Sequence, residues 1–521
     1  MKINTKSLLY GTIILTAANF GVRILGFVYR VFLSRIMGPE GMGLLQLIFP
    51  LYIMTITLSA SGIPVAVSHY VAREKANAKQ GSVRQIVSIS ALLVTVISII
   101  ISILLVWNVD FVASELLHDV RTRSAILIFF PCILITGLAA VLKGYFYGMN
   151  DIHPPALAEI IEQVFRMLLV TAIFMNITQL DIQTAVNIAI VGMVAGELAG
   201  LLCLQWFYRG KAKKTVRQAD PITYLKVFKN IFLFAAPLTC TKFISSSIMA
   251  TNTILIPQRL IAGGMESGQA MSTLGIVSGM AMPLLFLPFT ITSALSVIIV
   301  PNLSESMAVK DLSQVRGKIA KSIYITCLTA LISMAILIPL GFPVGYYIYG
   351  QADVGKYLVP LSFSLLFLCF DQTMGSILSG LGKQNLSALH SIIGDIVQLA
   401  CTYFLVADPR IGVYGFILGF TINSLIVSVL NFIATFRITK LKIKFFEWVI
   451  KPGLAALFTG LTVRLAFLYL VERGLSGSLV LIIAVLMGLL MGIGVVLLIG
   501  NVSMIFTKSH KRLSYGTRGN V

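Results

Sequence analysis

The chain has 521 residues, of which 57% are hydrophobic and only 12% are charged. Because a soluble globular chain carries about 25% charged residues, this composition excludes a soluble protein and indicates one that lies mostly within a bilayer. The formal net charge of +20 would suit a nucleic-acid-binding protein, but its distribution along the chain indicates membrane topology instead. No nucleic-acid partner is expected.

Fourteen membrane-spanning helices are predicted in chain order. A helix needs about 20 apolar residues to cross the hydrocarbon core, and runs of that length recur throughout the chain. The first run is not a cleavable signal peptide, because Arg23 and Arg30 lie inside it and no A-x-A-like site follows. The predicted spans lie near residues 7–33, 42–69, 85–108, 124–147, 155–177, 184–208, 230–257, 271–301, 322–348, 357–381, 385–407, 411–435, 452–471 and 477–501.

The basic residues are unevenly distributed between the connections. Most of the 40 Lys and Arg residues lie at the termini or in the connections that follow the even-numbered spans, including the segment RGKAKKTVRQ at residues 209–218. Positive residues collect on the cytoplasmic side of a membrane protein. We therefore expect a multi-pass protein of a bacterial plasma membrane, with both termini in the cytoplasm and basic runs that contact anionic lipids.

An internal repeat relates the two halves of the chain. Residues 146–168 read FYGMNDIHPPALAEIIEQVFRML, and residues 378–400 read LSGLGKQNLSALHSIIGDIVQLA, so that Gly148 falls on Gly380. In a membrane protein, a two-lobed repeat is typical of transporters that work by alternating access. We predict an all-α integral membrane protein with two pseudo-symmetric six-helix lobes and two further helices at its C-terminal end, acting as a monomer.

The sequence lacks the common motifs for nucleotide and metal binding. No G-x-x-x-x-G-K-[ST] motif is present, so transport is expected to be driven by a gradient or by downstream consumption of the transported molecule, and no resident cofactor is expected. The six cysteines lie singly in six predicted spans, which indicates neither a disulfide nor a metal site.

The repeat predicts how the chain is divided. The predicted parts of the chain are an N-lobe at 1–208, a basic linker at 209–229, a C-lobe at 230–436, spans 13 and 14 at 437–501, and a cytoplasmic tail at 502–521.

Charged side chains inside the first span mark a candidate substrate site, since a charge at mid-bilayer costs about 2.5–3.5 kcal/mol on insertion scales. Arg23 has no carboxylate within four residues of its own helix, and its planar fork suits phosphate. It either binds an anionic substrate or pairs with another helix. Arg30 lies nearer the outer end, where it either joins the same site or extends to the interface. Asn19 and Gln398 are predicted to add polar side chains to the substrate cavity.

A second group of charges lies in the fifth span. Glu159, Glu162 and Arg166 fall on one helical face. The four-residue spacing of Glu162 and Arg166 predicts an ion pair within the helix. Glu159 would then remain unpaired, either as a substrate contact or as a carrier of a proton or cation.

The second lobe contains a candidate coupling site. A lone buried carboxylate either takes up a proton or binds a cation, and Asp395 lies in the middle of span 11. Together with oxygen atoms of Asn423 and Thr421, Asp395 is predicted to form a Na⁺ or H⁺ site, with Asp371 nearby. The alternative is a structural ion pair between Lys242 and one of the two aspartates.

The opening of the chain resembles a known group of exporters. Residues 22–76 read VRILGFVYRVFLSRIMGPEGMGLLQLIFPLYIMTITLSASGIPVAVSHYVAREKA. With the 6+6+2 arrangement of spans, this segment resembles the multidrug/oligosaccharidyl-lipid/polysaccharide exporter superfamily, in particular its polysaccharide-export branch, which contains stage V sporulation proteins and is related to lipid II flippases. The resemblance implies a V-shaped bundle, export of undecaprenyl-pyrophosphate-linked sugars, and a lipid-tail groove beside spans 13 and 14.

The chain departs from the lipid II flippase pattern at two places. The first span of that family carries two arginines around an LGFV core; here Arg23 matches the first, Tyr29 takes the second position, and Arg30 follows. The further arginine of the family's second span is missing, because this chain has the apolar SASGIPVAV there. The resemblance therefore implies a cationic cavity that is only partly preserved.

Three functions are compatible with these features. The first is a flippase for a lipid-linked cell-wall or spore-cortex precursor, or for another lipid-linked polysaccharide unit. The second is a drug/cation antiporter, but its cavity would be dominated by carboxylates rather than arginines. The third is a membrane enzyme such as a glycan polymerase, which usually needs a large outer loop with a catalytic acid. The predicted outer loops are short, so we expect a transporter and not an enzyme.

Overall fold

The computed structural model describes residues 5–76, 80–177, 181–212 and 224–499, with side chains described from Phe20 onward except at 80–82, 212, 224 and 226. Within these ranges the chain is helical and contains no strand. The α-helices are α1 (Thr5–Ala60), α2 (Ile63–Ala76), α3 (Gln80–Trp107), α4 (Val109–Phe111), α5 (Thr122–Gly148), α6 (His153–Asn176), α7 (Ile182–Ala212), α8 (Tyr224–Ala262), α9 (Ser267–Leu274), α10 (Met282–Ala308), α11 (Leu312–Val344), α12 (Asp353–Gly380), α13 (Gln384–Leu405), α14 (Tyr414–Thr439), α15 (Lys451–Glu472) and α16 (Gly477–Leu498). Short π-helical turns occupy Val112–Leu116, Gly275–Ala281, Gly345–Tyr349 and Phe446–Ile450.

The described helices form the fourteen predicted spans. Twelve continuous stretches are long and apolar enough to cross a membrane, and the first of them, Phe20–Ala76, contains two spans. Gly38 separates these two spans with a positive φ of 65°, and Pro39, which follows it, suits the first turn of a new helix. The remaining span is α6, which carries three charged residues. The structure thus confirms the predicted all-α membrane fold.

The internal repeat is visible in atomic detail where α5 and α12 end. Both helices close with a residue of positive φ, Asn150 at 54° and Gly382 at 73°. A Cβ atom on Gly148 would lie 2.7 Å from the carbonyl oxygen of Ser68, and one on Gly380 would lie 3.1 Å from that of Val300. These carbonyls are related by the same sequence offset as the glycines, so the repeat preserves a close helix crossing as well as a residue pattern.

The N-lobe consists of α1 to α7, and the C-lobe consists of α8 to α14. Within each lobe the helices pack mainly on one another, and the largest buried apolar cluster continues from one lobe into the other. The last two helices, α15 and α16, pack together and attach to α11 of the C-lobe. A Cβ atom on Gly460 would lie only 3.2 Å from the carbonyl oxygen of Ala335, which shows how closely α15 approaches α11.

The predicted linker is shorter than its assigned range. Helix α7 extends to Ala212 and helix α8 begins at Tyr224, so both reach into the predicted linker at 209–229. Residues 213–223 and the predicted tail at 502–521 lie outside the described part of the chain. The first half of α8 packs on the N-lobe, where the Gly62 backbone N–H donates to Thr239 Oγ1 at 3.1 Å. Span 7 therefore contacts both lobes.

The connections divide the molecule into two faces. One face contains the turns at 149–152, 309–311, 381–383 and 440–445, and we call it the basic face. The other contains the turns at 117–121, 263–266, 350–352 and 473–476, and we call it the opposite face. The lobes meet closely at the opposite face, where a Cβ atom on Gly43 would lie 1.9 Å from the carbonyl oxygen of Met271. The two lobes are therefore closed at this face.

Candidate functional site

A cavity lies between the lobes, bounded by α1, α6, α7 and α10. Its volume is about 400 Å³. Arg23, at its edge, is exposed, whereas Leu33 and Met37, further along α1 toward the opposite face, are 4% and 5% exposed. The cavity is thus closed on the side of the opposite face. Its polar lining residues are Arg23, Tyr29, Arg30, Gln46, Gln163, Arg166 and Thr290.

Three guanidinium groups line this cavity. Arg23 and Arg30 come from α1, seven residues apart and therefore on one face of the helix, and Arg166 comes from α6. Arg23 and Arg30 form no hydrogen bond or ion pair with any described residue. The two predicted arginines therefore share one site, and the sequence did not indicate that Arg166 joins them. Its i+4 spacing from Glu162 suggested a self-contained pair.

The predicted ion pair in α6 does form, but it leaves donors free. Arg166 Nη2 lies 2.6 Å from Glu162 Oε1, while Arg166 Nε is buried and has no partner within the described residues. The hydroxyl of Tyr29, which lines the same cavity and is 8% exposed, is also buried without a partner there. Because buried polar groups are normally hydrogen-bonded, these orphaned atoms mark a place for a polar ligand.

The structure corrects the expectation for Glu159. Its carboxylate lies 3.1 Å from Lys143 Nζ of α5, and it does not line the cavity. The spacing along α6 could not reveal this pair, because the two side chains come from different helices. The side chain of Asn19, also predicted to contact substrate, lies outside the described residues.

The predicted coupling residues are partly assembled in the C-lobe. The amide nitrogen of Asn423 donates to Asp395 Oδ1 at 3.2 Å and to Gln398 Oε1 at 2.7 Å. A Cβ atom on Gly394 would lie 2.1 Å from Asn423 Oδ1, so the glycine makes room for this contact. Gln398 is buried in this network and does not line the cavity, so its predicted contact with the substrate is absent from this conformation.

The other predicted coupling residues differ in their surroundings. The hydroxyl of Thr421 donates to the carbonyl of Ile417 in its own helix at 2.8 Å. Asp371 lies near enough to Asp395 for the two charges to interact. Lys242 is exposed and forms an ion pair with neither aspartate among the described residues. The alternative of a structural pair with Lys242 is therefore wrong for this conformation.

The described residues contain neither a cluster of metal-binding side chains nor a disulfide. They include no group of three or more His, Cys, Asp or Glu side chains that could hold a metal ion. All six cysteines lie within the described helices and are free thiols. A Na⁺ ion at Asp395 would need oxygen atoms from amides, hydroxyls and the backbone in addition to the carboxylate.

Comparison with known proteins gives consistent matches. The profile of the family described as "Polysaccharide biosynthesis protein" matches residues 8–307. "Stage V sporulation protein B" of Bacillus subtilis is 30% identical over 450 residues, covering 85% of this chain and 86% of that protein. "Lipid II flippase MurJ" of Bacillus subtilis is 22% identical over 500 residues, covering 86% of this chain and 89% of that protein. The solved structure "Lipid II flippase MurJ, inward closed conformation" has a TM-score of 0.65 and 16% identity, and covers 94% of this chain and 98% of that one; this likeness concerns the fold alone.

Proposed function

The chain belongs to the polysaccharide biosynthesis protein family, and from this premise we propose that it is a gradient-driven flippase for a lipid-linked glycan. The similarity to "Lipid II flippase MurJ" and the description of the family support a flippase or exporter. The proposed substrate is an undecaprenyl-pyrophosphate-linked precursor of cell-wall or spore-cortex peptidoglycan, similar to lipid II. The names of the sporulation and flippase relatives support this substrate class.

The observation that carries the proposal is the cavity with its three arginines. Two of them, Arg23 and Arg30, form no hydrogen bond or ion pair with a described residue, and a guanidinium binds phosphate oxygens in a bidentate manner. A pyrophosphate group placed there would satisfy donors that are otherwise free. The positive lining also disfavours cationic drugs, which would meet like charges, so the flippase is favoured over a drug/cation antiporter.

Alternating access would move the substrate between the two faces. In the present conformation the lobes are closed at the opposite face. The abundance of Lys and Arg near the basic face supports a cytoplasmic location for that face and for both termini in a bacterial plasma membrane. The substrate would then enter from the cytoplasmic side, and closure at the basic face would open the route to the outside.

Replacing Arg23 by alanine tests the substrate site. Flipping of fluorescent lipid II in proteoliposomes is expected to fall at least about tenfold, because a charged hydrogen bond to the pyrophosphate is lost. The matched control is Arg410→Ala, which removes an exposed arginine from the connection between α13 and α14, away from the cavity. Equal losses in both variants, or protein-dependent flipping that survives Arg23→Ala, would contradict the assignment of Arg23. Failure of the wild type to flip lipid II under any ion gradient would contradict the proposed substrate.

The proposed coupling site is tested by Asp395→Asn. The asparagine removes the negative charge that would hold Na⁺ or H⁺, so the dependence of the flipping rate on Na⁺ or on pH is expected to disappear. The rates are measured at varied Na⁺ concentration and pH, with Asp353→Asn as the control, since Asp353 is exposed and pairs with Lys356 on the surface. An unchanged ion dependence in Asp395→Asn would remove Asp395 from the coupling mechanism.

A further inference from the structure

Arg166 and Glu162 form an ion pair beside the cavity, and only Arg166 lines the cavity. Arg166 lines the cavity, whereas Glu162, one helical turn earlier, does not. Their side chains are 15% and 17% exposed, and Arg166 Nη2 lies 2.6 Å from Glu162 Oε1. Glu162 therefore binds the guanidinium on the side that faces away from the cavity.

The arginine is held in place but incompletely bonded. A guanidinium has five N–H donors, and Glu162 accepts the one hydrogen bond that Arg166 donates among the described residues. The buried Nε has no partner there, and a Cβ atom on Gly196 would lie 3.3 Å from it. Gly196 of α7 therefore packs directly against this part of α6, and a larger residue there would press on Arg166.

Arg166 is the one residue that belongs both to the cavity lining and to the charged group around Glu162. The charges of Glu197, Arg166, Lys143 and Glu159 act on Glu162, and of these four residues Arg166 alone lines the cavity. Glu197 Oε1 accepts a hydrogen bond from the Tyr52 hydroxyl at 3.5 Å. Arg166 therefore connects this buried group, which contains three carboxylates and Lys143, to the cavity.

We propose that Arg166 is the third anion-binding group of the cavity and that Glu162 is its counter-ion in the empty state, competing with the ligand for the guanidinium. An entering phosphate group binds the guanidinium where Arg166 lines the cavity and draws it from the carboxylate, so that the Nε–H, which is buried without a partner in the empty state, becomes available as a donor. When the ligand leaves, the pair with Glu162 forms again. A counter-ion of this kind weakens binding and thereby allows the release that a transporter needs.

The proposal rests on the proposed function only in that the ligand carries phosphate groups. We expect neutralising substitutions at Arg166 and at Glu162 to change the affinity for the ligand in opposite directions. Removing Arg166 removes a ligand contact, whereas removing the charge of Glu162 removes a competitor. A purely structural ion pair would behave differently, since loss of either partner would perturb the site in the same direction.

The test measures binding of inorganic pyrophosphate to the purified full-length protein by isothermal titration calorimetry. Arg166→Gln is expected to weaken binding at least about tenfold, because a charge-assisted hydrogen bond is lost. Glu162→Gln is expected to strengthen it by at least about fivefold, since that carboxylate no longer competes. In the double variant the strengthening is expected to be absent, because Glu162 acts only through Arg166.

The matched control for Glu162→Gln is Glu159→Gln, which neutralises a carboxylate one turn away that pairs with Lys143. It is expected to change the affinity by less than Glu162→Gln does. Weaker binding in Glu162→Gln, unchanged binding in Arg166→Gln, or no pyrophosphate binding by the wild type would each overturn the proposal. The double variant contains no unpaired charge from this pair, so it gives a result even if Arg166→Gln does not fold.

The two proposals fail separately. If lipid II is not flipped but pyrophosphate binding shows effects of opposite sign, the substrate assignment is wrong and the role of the pair stands. If lipid II is flipped but both variants weaken pyrophosphate binding, the proposed function stands and Glu162 is a structural partner of Arg166.

Discussion

A single methyl group at position 43 is expected to prevent the lobes from closing at the opposite face. In the structure, a Cβ atom on Gly43 would lie 1.9 Å from the backbone oxygen of Met271, and one on Gly275 would lie 1.9 Å from that of Pro39. These neighbours are backbone atoms, which cannot rotate away as a flexible side chain can. Overpacking costs up to about 3 kcal/mol, which corresponds to roughly a hundredfold loss of the closed state.

The experiment compares Gly43→Ala with Gly317→Ala. A Cβ atom on Gly317 would meet nothing within 4 Å, and alanine stabilises a helix interior by about 1 kcal/mol relative to glycine. In a background without the six native cysteines, Thr290→Cys in the cavity reports access to an impermeant thiol reagent from each side. We expect Gly43→Ala to expose this cysteine from the opposite face and to abolish transport, while Gly317→Ala leaves both properties intact. Protection of the cysteine in Gly43→Ala would show that the close approach is dispensable.

Replacing Arg35 by alanine is expected to shift the protein in the same direction. Its guanidinium reaches from α1 to the C-lobe, where Nε donates to the Ile348 carbonyl at 2.7 Å and Nη2 to the Tyr347 carbonyl at 2.5 Å. These carbonyls belong to the last turn before Gly350, where the helix ends and its dipole is negative. Charged hydrogen bonds contribute about 1.5–3 kcal/mol, so their loss reduces the closed population roughly ten- to a hundredfold.

The same cysteine-accessibility measurement checks this prediction. The matched control is Arg123→Ala, because Arg123 lies near the same face, is 49% exposed and pairs with Asp110 within its own lobe. Increased labelling from the opposite face in Arg35→Ala but not in Arg123→Ala is the expected result. Equal labelling in the two variants would mean that the contact of Arg35 between the lobes does not stabilise closure.

The internal repeat shows which structural features can be predicted from a local residue pattern and which cannot. The match of Gly148 with Gly380 was visible in the sequence, but its meaning was not. Only the structure shows that both glycines face a backbone carbonyl of a neighbouring helix, at Ser68 and Val300. A residue pattern records that a small residue is needed, while the partner that requires it lies far away in the chain.

The candidate site was predictable in part for the same reason. Arg23 and Arg30 were identified because an unpaired charge inside an apolar span is costly wherever its neighbours lie. Arg166 was missed because its spacing from Glu162 offered a sufficient local explanation. The Lys143–Glu159 pair and the contact of Asn423 with Asp395 join different helices, and no spacing within one helix predicts them.

The sequence alone determined that this is an all-α membrane protein with fourteen spans in two related lobes, because hydropathy and helical spacing are local properties of the chain. The tertiary structure alone decided which charges meet. It placed Arg166 beside Arg23 and Arg30 on one cavity, assigned Gln398 to the aspartate network, and closed the lobes at Gly43. Such contacts depend on how helices cross, and helix crossings are set by packing between residues that are distant along the chain.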